Sequence, residues 1–446
     1  MFDQAVRYSE GKGILIRCYM ANVAQDLFQT SNFRKLFAGQ LISGLGDWLA
    51  TFAFIAFVYA LTGQATSVAF ILILRLVPPM FAASIGGVLA DRLPRKSIMI
   101  TSDILRAGII MLVPFTNLWL VYVIAIAHEF ISLFFMPARD ASIPQLVPKH
   151  TLETANGLIL ASSYVMLPIA GALFGLLHGA GGLYSHFLPF SHRIDSQPET
   201  LAFFADAVTF VISAILITNM SFPKNTEHMA KHRSLSFRED FIKGIQAVWR
   251  NQTIRSLAYG ITAAMFGGGV LFAVGIGYVN KTLGASSTTF GWLISLWGAG
   301  MGIGLLAVRQ LVHRKGRTYI FSAAVVVLGG IIISMALVPI LVVAMALAVP
   351  FGAAFALALT LAMTIAQESA EEHNRGTVMG GIESLFSIGL GTGAISIGAL
   401  ATSIKHVHFI VFNLDGNQFG MLIAGIFIIG GAIVMIDSFN KVAEAK

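Results

Sequence analysis

Long apolar runs separated by short polar connectors make up most of this chain. A helix needs about 20 apolar residues to cross the hydrocarbon core of a membrane, and twelve runs come close to or exceed that length. The predicted spans are 36–61, 66–90, 97–117, 119–138, 154–178, 200–221, 255–280, 286–308, 318–338, 340–366, 376–402 and 418–437. The pattern therefore predicts an all-α integral membrane protein with twelve transmembrane helices.

A polar and basic stretch divides the spans into two sets of six. We interpret residues 1–35 as a cytoplasmic N-terminal segment and 36–222 as an N-terminal half. Residues 223–254 form a cytoplasmic linker, and 255–446 form a C-terminal half with a short tail. Apolar residues at helical spacing predict an amphipathic helix at 237–249 of the linker. The two halves carry basic connectors at matching places, as in pseudo-repeats that hold a substrate site between them near the midplane.

The composition agrees with lipid as the main solvent. Of 446 residues, 56% are hydrophobic and 11% are charged, whereas soluble proteins are about 25% charged. The mean hydropathy is +0.78. A single cysteine, Cys18, provides neither an internal disulfide nor a thiolate metal site, so no metal and no cofactor are predicted.

The distribution of charge predicts the orientation. Most of the 29 Lys and Arg residues lie in connectors that alternate to one side of the membrane, which places both termini inside the cell. The net charge of +7 therefore sets topology, and no nucleic-acid partner is predicted.

Several motifs carry a family resemblance. Residues 87–96, Gly-Val-Leu-Ala-Asp-Arg-Leu-Pro-Arg-Lys, resemble the second-to-third-loop signature of the major facilitator superfamily, with proline in place of its usual second glycine. Other stretches resemble the branch that holds macrolide, multidrug and enterobactin exporters. They are Gly39-Gln40 and Ser43–Asp47, Arg75–Pro78, Phe135–Arg139, Pro144–Val147, Ala155–Gly157, Asp206–Phe210, and Gln367 with Arg375-Gly376. The resemblance implies the major facilitator fold, a monomer and a bacterial inner-membrane location.

The resemblance also implies a cytoplasmic gate. In the family, Asp91 faces the N-terminal end of the eleventh span, near Arg375, where the helix dipole favours an anion. Arg92, Arg95 and Lys96 complete this cluster. The alternative is that these charges only anchor the loop.

Two charged residues of the third span are assigned to the same gate. Asp103 and Arg106 are three residues apart and share a helix face. We expect them to lie a turn or two inside the membrane and to pair with the 92–96 cluster.

Three further charges are predicted near the midplane. Asp47, Arg75 and Glu129 each lie far from the ends of their spans, and an ionised group there costs at least about 2.5 kcal/mol. Arg75 is expected to pair with Asp47 or with Glu129, leaving the other carboxylate free to take up protons. A static buried ion pair is the alternative.

Two more acidic residues are candidates for the substrate or proton pathway. Asp206 is expected close to the outer surface, where it lines the pathway or only braces the sixth span. Glu383 is expected about two turns from the inner end of the eleventh span.

The leading hypothesis is a secondary active transporter that exports an amphiphilic or hydrophobic small molecule of drug, macrolide or siderophore type by alternating access. Proton antiport stays open, because the fifth-span antiporter motif is reduced to Leu167-Pro168-Ile-Ala-Gly171. Alternatives are a flippase for lysophospholipids or similar lipids and, from another class, a non-transporting membrane receptor or assembly protein. The scattered His residues and one Cys assemble no catalytic set, so no enzyme is predicted.

Overall fold

The structure is a computed structural model that describes residues 26–76, 78, 94–180, 197–221, 237–371, 374–404, 406–409 and 412–444. The helices of the N-terminal half are α1 (Ser31–Thr62), α2 (Ala65–Leu76), α3 (Arg95–Ile110), α4 (Leu118–Leu146), α5 (Leu152–Gly179) and α6 (Thr200–Thr218). The linker contains α7 (Phe237–Arg250). The helices of the C-terminal half are α8 (Gln252–Gly277), α9 (Ser287–Lys315), α10 (Arg317–Leu337), α11 (Leu341–Ser369), α12 (Arg375–Ser403) and α13 (Gly416–Glu444).

The predicted fold class is confirmed. Ten described helices are long and apolar enough to cross a membrane, and shorter apolar helices cover Ala65–Leu76 and Val165–Gly179. Helix α1 begins five residues earlier than predicted, at Ser31. The Asn117 side chain accepts a hydrogen bond from the Leu120 N–H at 3.1 Å and caps the start of α4. Helix α4 ends at Leu146, beyond the predicted end of that span at residue 138.

The two halves repeat the same packing. In the N-terminal half α6 packs against α1 and α3, and in the C-terminal half α13 packs against α8 and α10. Helix α1 also packs against α5, as α8 does against α12. The corresponding helices of the predicted pseudo-repeat therefore make corresponding contacts.

The linker helix α7 docks on the C-terminal half. It crosses α12 where two glycines meet, and a Cβ atom added to Gly381 would lie 2.4 Å from the Gly244 carbonyl oxygen. The Asn251 side chain then caps α8 and donates a hydrogen bond to the Ser369 carbonyl oxygen at 2.9 Å. The linker is thus fixed to the helices that follow it.

A hairpin that the sequence analysis did not predict connects α12 to α13. Strands β1 (His406–Phe409) and β2 (Phe412–Asp415) pair antiparallel, with His406 opposite Asp415. The segment is rich in aromatic and β-branched residues, which favour strands. A search for apolar runs of membrane-spanning length does not register strands this short.

The two halves meet on the outer side. Helix α5 packs against α9, and α2 packs against α12. A Cβ atom added to Gly291 on α9 would lie 2.5 Å from the Gly175 backbone nitrogen and 2.7 Å from the Gly171 carbonyl oxygen on α5. Glycine is therefore required for this approach of two backbones.

Polar contacts reinforce the same outer contact. The Thr66 hydroxyl donates to the Gly398 carbonyl oxygen at 3.2 Å, and the Lys281 ammonium donates to the Gly63 carbonyl oxygen at 2.7 Å. Together with the bonds of Thr66 to Thr402 and of His178 to Thr288, these hydrogen bonds join the two halves near their outer helix ends. The protein is therefore closed on its outer side.

Candidate functional site

A cavity of about 250 Å³ opens between α1, α2, α3 and α4 of the N-terminal half. Asp47, Arg75 and Glu129 line it together with Arg106 and Arg139. The three midplane charges predicted from the sequence thus meet around one cavity, although they come from three different helices. What each of them does there remains a prediction.

Arg75 pairs with Glu129. Its Nη2 lies 2.9 Å from Glu129 Oε1, and both side chains are 12% exposed. The Arg75 guanidinium also lies over the Phe54 ring, 5.2 Å from its centroid. His128, the neighbour of Glu129, is buried, and its Nδ1 is 3.7 Å from Glu129 Oε1. Of the two alternatives left open by the sequence, the structure contains the Arg75–Glu129 pair.

Arg106 lies between two carboxylates. It donates a hydrogen bond from Nη2 to Asp103 Oδ1, and its Nη1 is 3.9 Å from Asp47 Oδ1. Its guanidinium also stacks over the rings of Phe210 and Phe135, with Cζ at 4.1 and 4.7 Å from their centroids. The prediction that Asp103 and Arg106 pair with the 92–96 cluster is therefore wrong for Arg95 and Lys96, the two basic residues of that cluster that the structure describes. Arg106 is about 16 Å along α3 from Arg95 at about 1.5 Å per residue, so it reaches the layer of Asp47.

The basic residues of the loop bind backbone carbonyl groups. Arg95 Nη1 donates to the Ala141 oxygen at 2.5 Å, and Lys96 Nζ donates to the Thr218 and Met220 oxygens at 2.7 Å each. They thereby neutralise the negative C-terminal ends of α4 and α6.

The remaining parts of the predicted cytoplasmic gate are Asp91, Arg92 and the side chain of Arg375. All three lie outside the described residues. The gate therefore stays a prediction.

Asp206 is far from the outer surface, contrary to the prediction. Its side chain is 0% exposed and lies against α1, because a Cβ atom added to Gly46 would be 2.2 Å from Asp206 Oδ1. Thr209 donates to the same oxygen at 3.3 Å. Gly46 lies near the middle of α1 (Ser31–Thr62), so the Asp206 side chain that packs against it lies at the middle of the half.

We call the six residues Asp47, Arg75, Asp103, Arg106, Glu129 and Asp206 the charged layer. Glu383 lies outside it, exposed on α12 of the other half, and its role remains a prediction. Among the residues that the structure describes, no group of three or more His, Cys, Asp and Glu is arranged to hold a metal ion.

The sequence analysis missed one polar pair of the cavity. Arg139 Nη1 donates to Gln40 Oε1 at 3.0 Å, and its Nε donates to Asp140 Oδ1 at 2.8 Å. Gln40 and Arg139 both lie in the stretches that carry the family resemblance, and this was the sequence signal that could have identified them. The resemblance alone does not distinguish residues that line the cavity from residues that pack between helices.

Comparisons with known proteins define the class. Residues 36–394 and 257–439 match the profile of the Major Facilitator Superfamily. The chain belongs to this superfamily and is a membrane transporter, not an enzyme.

Its relatives include transporters of known and unknown cargo. The uncharacterized MFS-type transporter YkuC of Bacillus subtilis is 27% identical over 326 residues, which are 69% of this chain and 71% of YkuC. Macrolide efflux protein A of Streptococcus pyogenes is 29% identical over 150 residues, which are 32% of this chain and 37% of that protein.

Solved structures share the fold at low identity. An inward-facing, unoccupied bacterial homolog of the human lysosomal transporter Spinster superposes with a TM-score of 0.70 at 16% identity, covering 92% of this chain and 97% of that one. The D-xylose–proton symporter gives a TM-score of 0.65 at 13% identity, covering 91% and 96%.

Proposed function

We propose that this protein exports an amphiphilic or hydrophobic small molecule from the bacterial cytoplasm by alternating access. The observation that carries the proposal is the position of the contacts between the halves, which are concentrated at the outer helix ends. Such an arrangement suits one end state of a cycle in which the halves rock about a central site. The partial similarity to macrolide efflux protein A supports export as the direction. We further propose that the protein acts as a monomer in the inner membrane.

Protons are the proposed coupling ion. In the charged layer, Glu129 is paired with Arg75, and Asp47 is the carboxylate that faces the cavity with 37% of its side chain exposed. Ionisable groups at membrane depth mark ion and proton pathways. Asp47 is therefore the proposed entry point for a proton from the cavity.

Asp47→Asn is expected to remove the dependence of export on the proton gradient. Asparagine keeps the size of the side chain but binds no proton, so active export should fall about tenfold, equivalent to about 1.4 kcal/mol on the transport barrier. Export from inverted vesicles, measured across a range of external pH, tests this. Glu129→Gln is the comparison, because it removes a carboxylate that Arg75 already neutralises. An unchanged pH profile in both variants would exclude proton coupling through this cavity.

The cargo is tested by transport in energised vesicles, with and without a protonophore. Macrolides, dyes, siderophores and lysophospholipids are the panel. Protonophore-sensitive export of a drug-like compound supports the proposal, whereas lysophospholipid transport that survives the protonophore favours the flippase. Transport of none of these classes would contradict the proposed cargo and favour a receptor or assembly protein on this fold.

A further inference from the structure

The charged layer contains more acid than base. It holds the four carboxyl groups of Asp47, Asp103, Glu129 and Asp206 but only the two guanidinium groups of Arg75 and Arg106. His128 is buried, and neither of its ring nitrogens has a hydrogen-bond partner within the described chain. Its nearest carboxylate oxygen is Glu129 Oε1, at 3.7 Å from Nδ1, and Glu129 already pairs with Arg75. With all four carboxyl groups ionised, the layer would hold an excess of two negative charges near the middle of the membrane, where isolated charge is costly.

Ion pairs account for two of the four carboxyl groups. Glu129 is neutralised by Arg75 at 2.9 Å, and Asp103 is neutralised by the hydrogen bond from Arg106. The remaining two, Asp47 and Asp206, have different surroundings. Asp47 faces the cavity and has Arg106 Nη1 at 3.9 Å, so water and a cation both stabilise its negative charge.

Asp206 is neither exposed to solvent nor paired with a cation among the described residues. Its side chain is 0% exposed, and no ion pair joins it to any basic residue in the described part of the chain. Its Oδ1 receives only the 3.3 Å hydrogen bond from Thr209, and its Oδ2 has no partner among the described residues. Gly46 brings the backbone of α1 against it, which excludes solvent from that side.

The charged and titratable groups around Asp206 come from every helix packed near α6. The helices packed against α6 are α1, α3 and α5, which carry Asp47, Asp103, Arg106 and His178. Arg75, His128 and Glu129 on α2 and α4 and Glu199 before α6 complete the set. Both arginines of this set already hold another carboxylate. The excess negative charge of the layer is thus concentrated at the one acidic side chain that is both fully buried and outside any ion pair.

We propose that Asp206 is a proton-binding site, whose carboxyl group is protonated when the outer side is closed and exchanges its proton with the cavity through Asp47. Asp47 follows Gly46 directly in the chain, so the solvated carboxylate and the buried carboxyl group belong to the same contact between α1 and α6. Loss of the proton from Asp206 requires a cation or water to approach it, which ties deprotonation to a rearrangement of the layer. The inference deepens the proposed function and rests on it for the role of the proton in transport.

Infrared spectroscopy of the reconstituted full-length protein tests the protonation state without any transport assay. A protonated carboxyl group has a C=O stretch separate from that of carboxylates. We expect such a band in the wild type and its loss in Asp206→Asn. Asp437→Asn, which removes an exposed aspartate paired with Lys441, is the control and should keep the band. A band that is absent from the wild type, or that persists in Asp206→Asn, overturns the proposal.

Thermal unfolding provides a second readout. Asparagine is neutral and close in shape to protonated aspartic acid, so Asp206→Asn should unfold at the wild-type temperature or above. Asp103→Asn removes an ionised partner of Arg106 and should lower the midpoint by about 5 °C or more. An equal loss in Asp206→Asn, or its failure to fold, would contradict a neutral carboxyl group at this position and overturns the proposal. Neither measurement involves a transported compound. The protonation state of Asp206 can therefore be decided even if the export assay fails.

Discussion

Gly291→Trp is expected to abolish active export while leaving a folded, membrane-inserted protein. Gly291 lies on α9 at the contact with α5, where an added Cβ atom would already be 2.5 Å from the Gly175 nitrogen. An indole at this position cannot fit while the outer side is closed. Overpacking costs about 1–3 kcal/mol, and a penalty of about 3 kcal/mol would lower the closed population by about 100-fold relative to the open one.

The location of Gly291 explains why the variant should still fold. The clash lies between the halves and not inside either of them, so separation of the outer ends relieves it. Each half keeps its own contacts, such as those of α1 with α6 and of α8 with α13. The expected product is therefore a transporter held open to the outside.

Cysteine labelling from the outside measures this state directly. Thr66 contacts Gly398 where the two halves meet on the outer side, so a cysteine at position 66 should react faster in Gly291→Trp than in an otherwise wild-type chain. Both proteins need Cys18 replaced by serine. Gly302→Trp is the matched control, since it lies on the same helix with nothing within 4 Å of an added Cβ atom. Normal export by Gly291→Trp, or equal loss in the control, would contradict the predicted role of the contact between α5 and α9.

The sequence was sufficient for the architecture because hydropathy and charge act over whole spans. A run of about 20 apolar residues predicts a membrane span whichever way the helix is rotated about its axis. Basic connectors predict the orientation without any knowledge of how the helices pack. An ion pair of Arg75 could be predicted from the sequence for a related reason. Charges at similar depth in neighbouring spans of one half must find partners, although the choice between Asp47 and Glu129 needed the structure.

The depths of Asp206 and Arg106 were not predictable in the same way. Position along a span gives a distance from the helix end, but not where that end lies in the half. Helix α6 begins at residues that are already buried, and Gly46 provides the space that Asp206 occupies. The hydrogen bonds of Arg95 and Lys96 to the ends of α4 and α6 were also not predicted. Their acceptors are backbone carbonyl groups, which every residue has, so no residue type identifies them.

Arg106→Met is expected to cause the largest loss of stability of any single substitution in the charged layer. Arg106 is 3% exposed, donates to Asp103 and lies over the rings of Phe135 and Phe210. Methionine fills much of the volume but leaves the buried Asp103 carboxylate without its cation. Breaking a buried ion pair in this way costs about 3–5 kcal/mol. Thermal or denaturant unfolding of the purified protein measures the change.

A double substitution separates the lost charge from the lost packing. In Arg106→Met with Asp103→Asn no unpaired carboxylate remains at position 103, so most of the lost stability should return, because neutral replacement of a buried ion pair is often tolerated. Arg317→Met provides the matched control: Arg317 pairs with Glu368 at the surface, with both side chains about half exposed, and should change stability by about 1 kcal/mol or less. If the double variant were as unstable as Arg106→Met alone, the aromatic contacts with Phe135 and Phe210 would be the main contribution of Arg106. Recovery would instead identify charge compensation as what holds α3 in the charged layer, and export by the recovered protein would then show whether Arg106 also acts in the transport cycle.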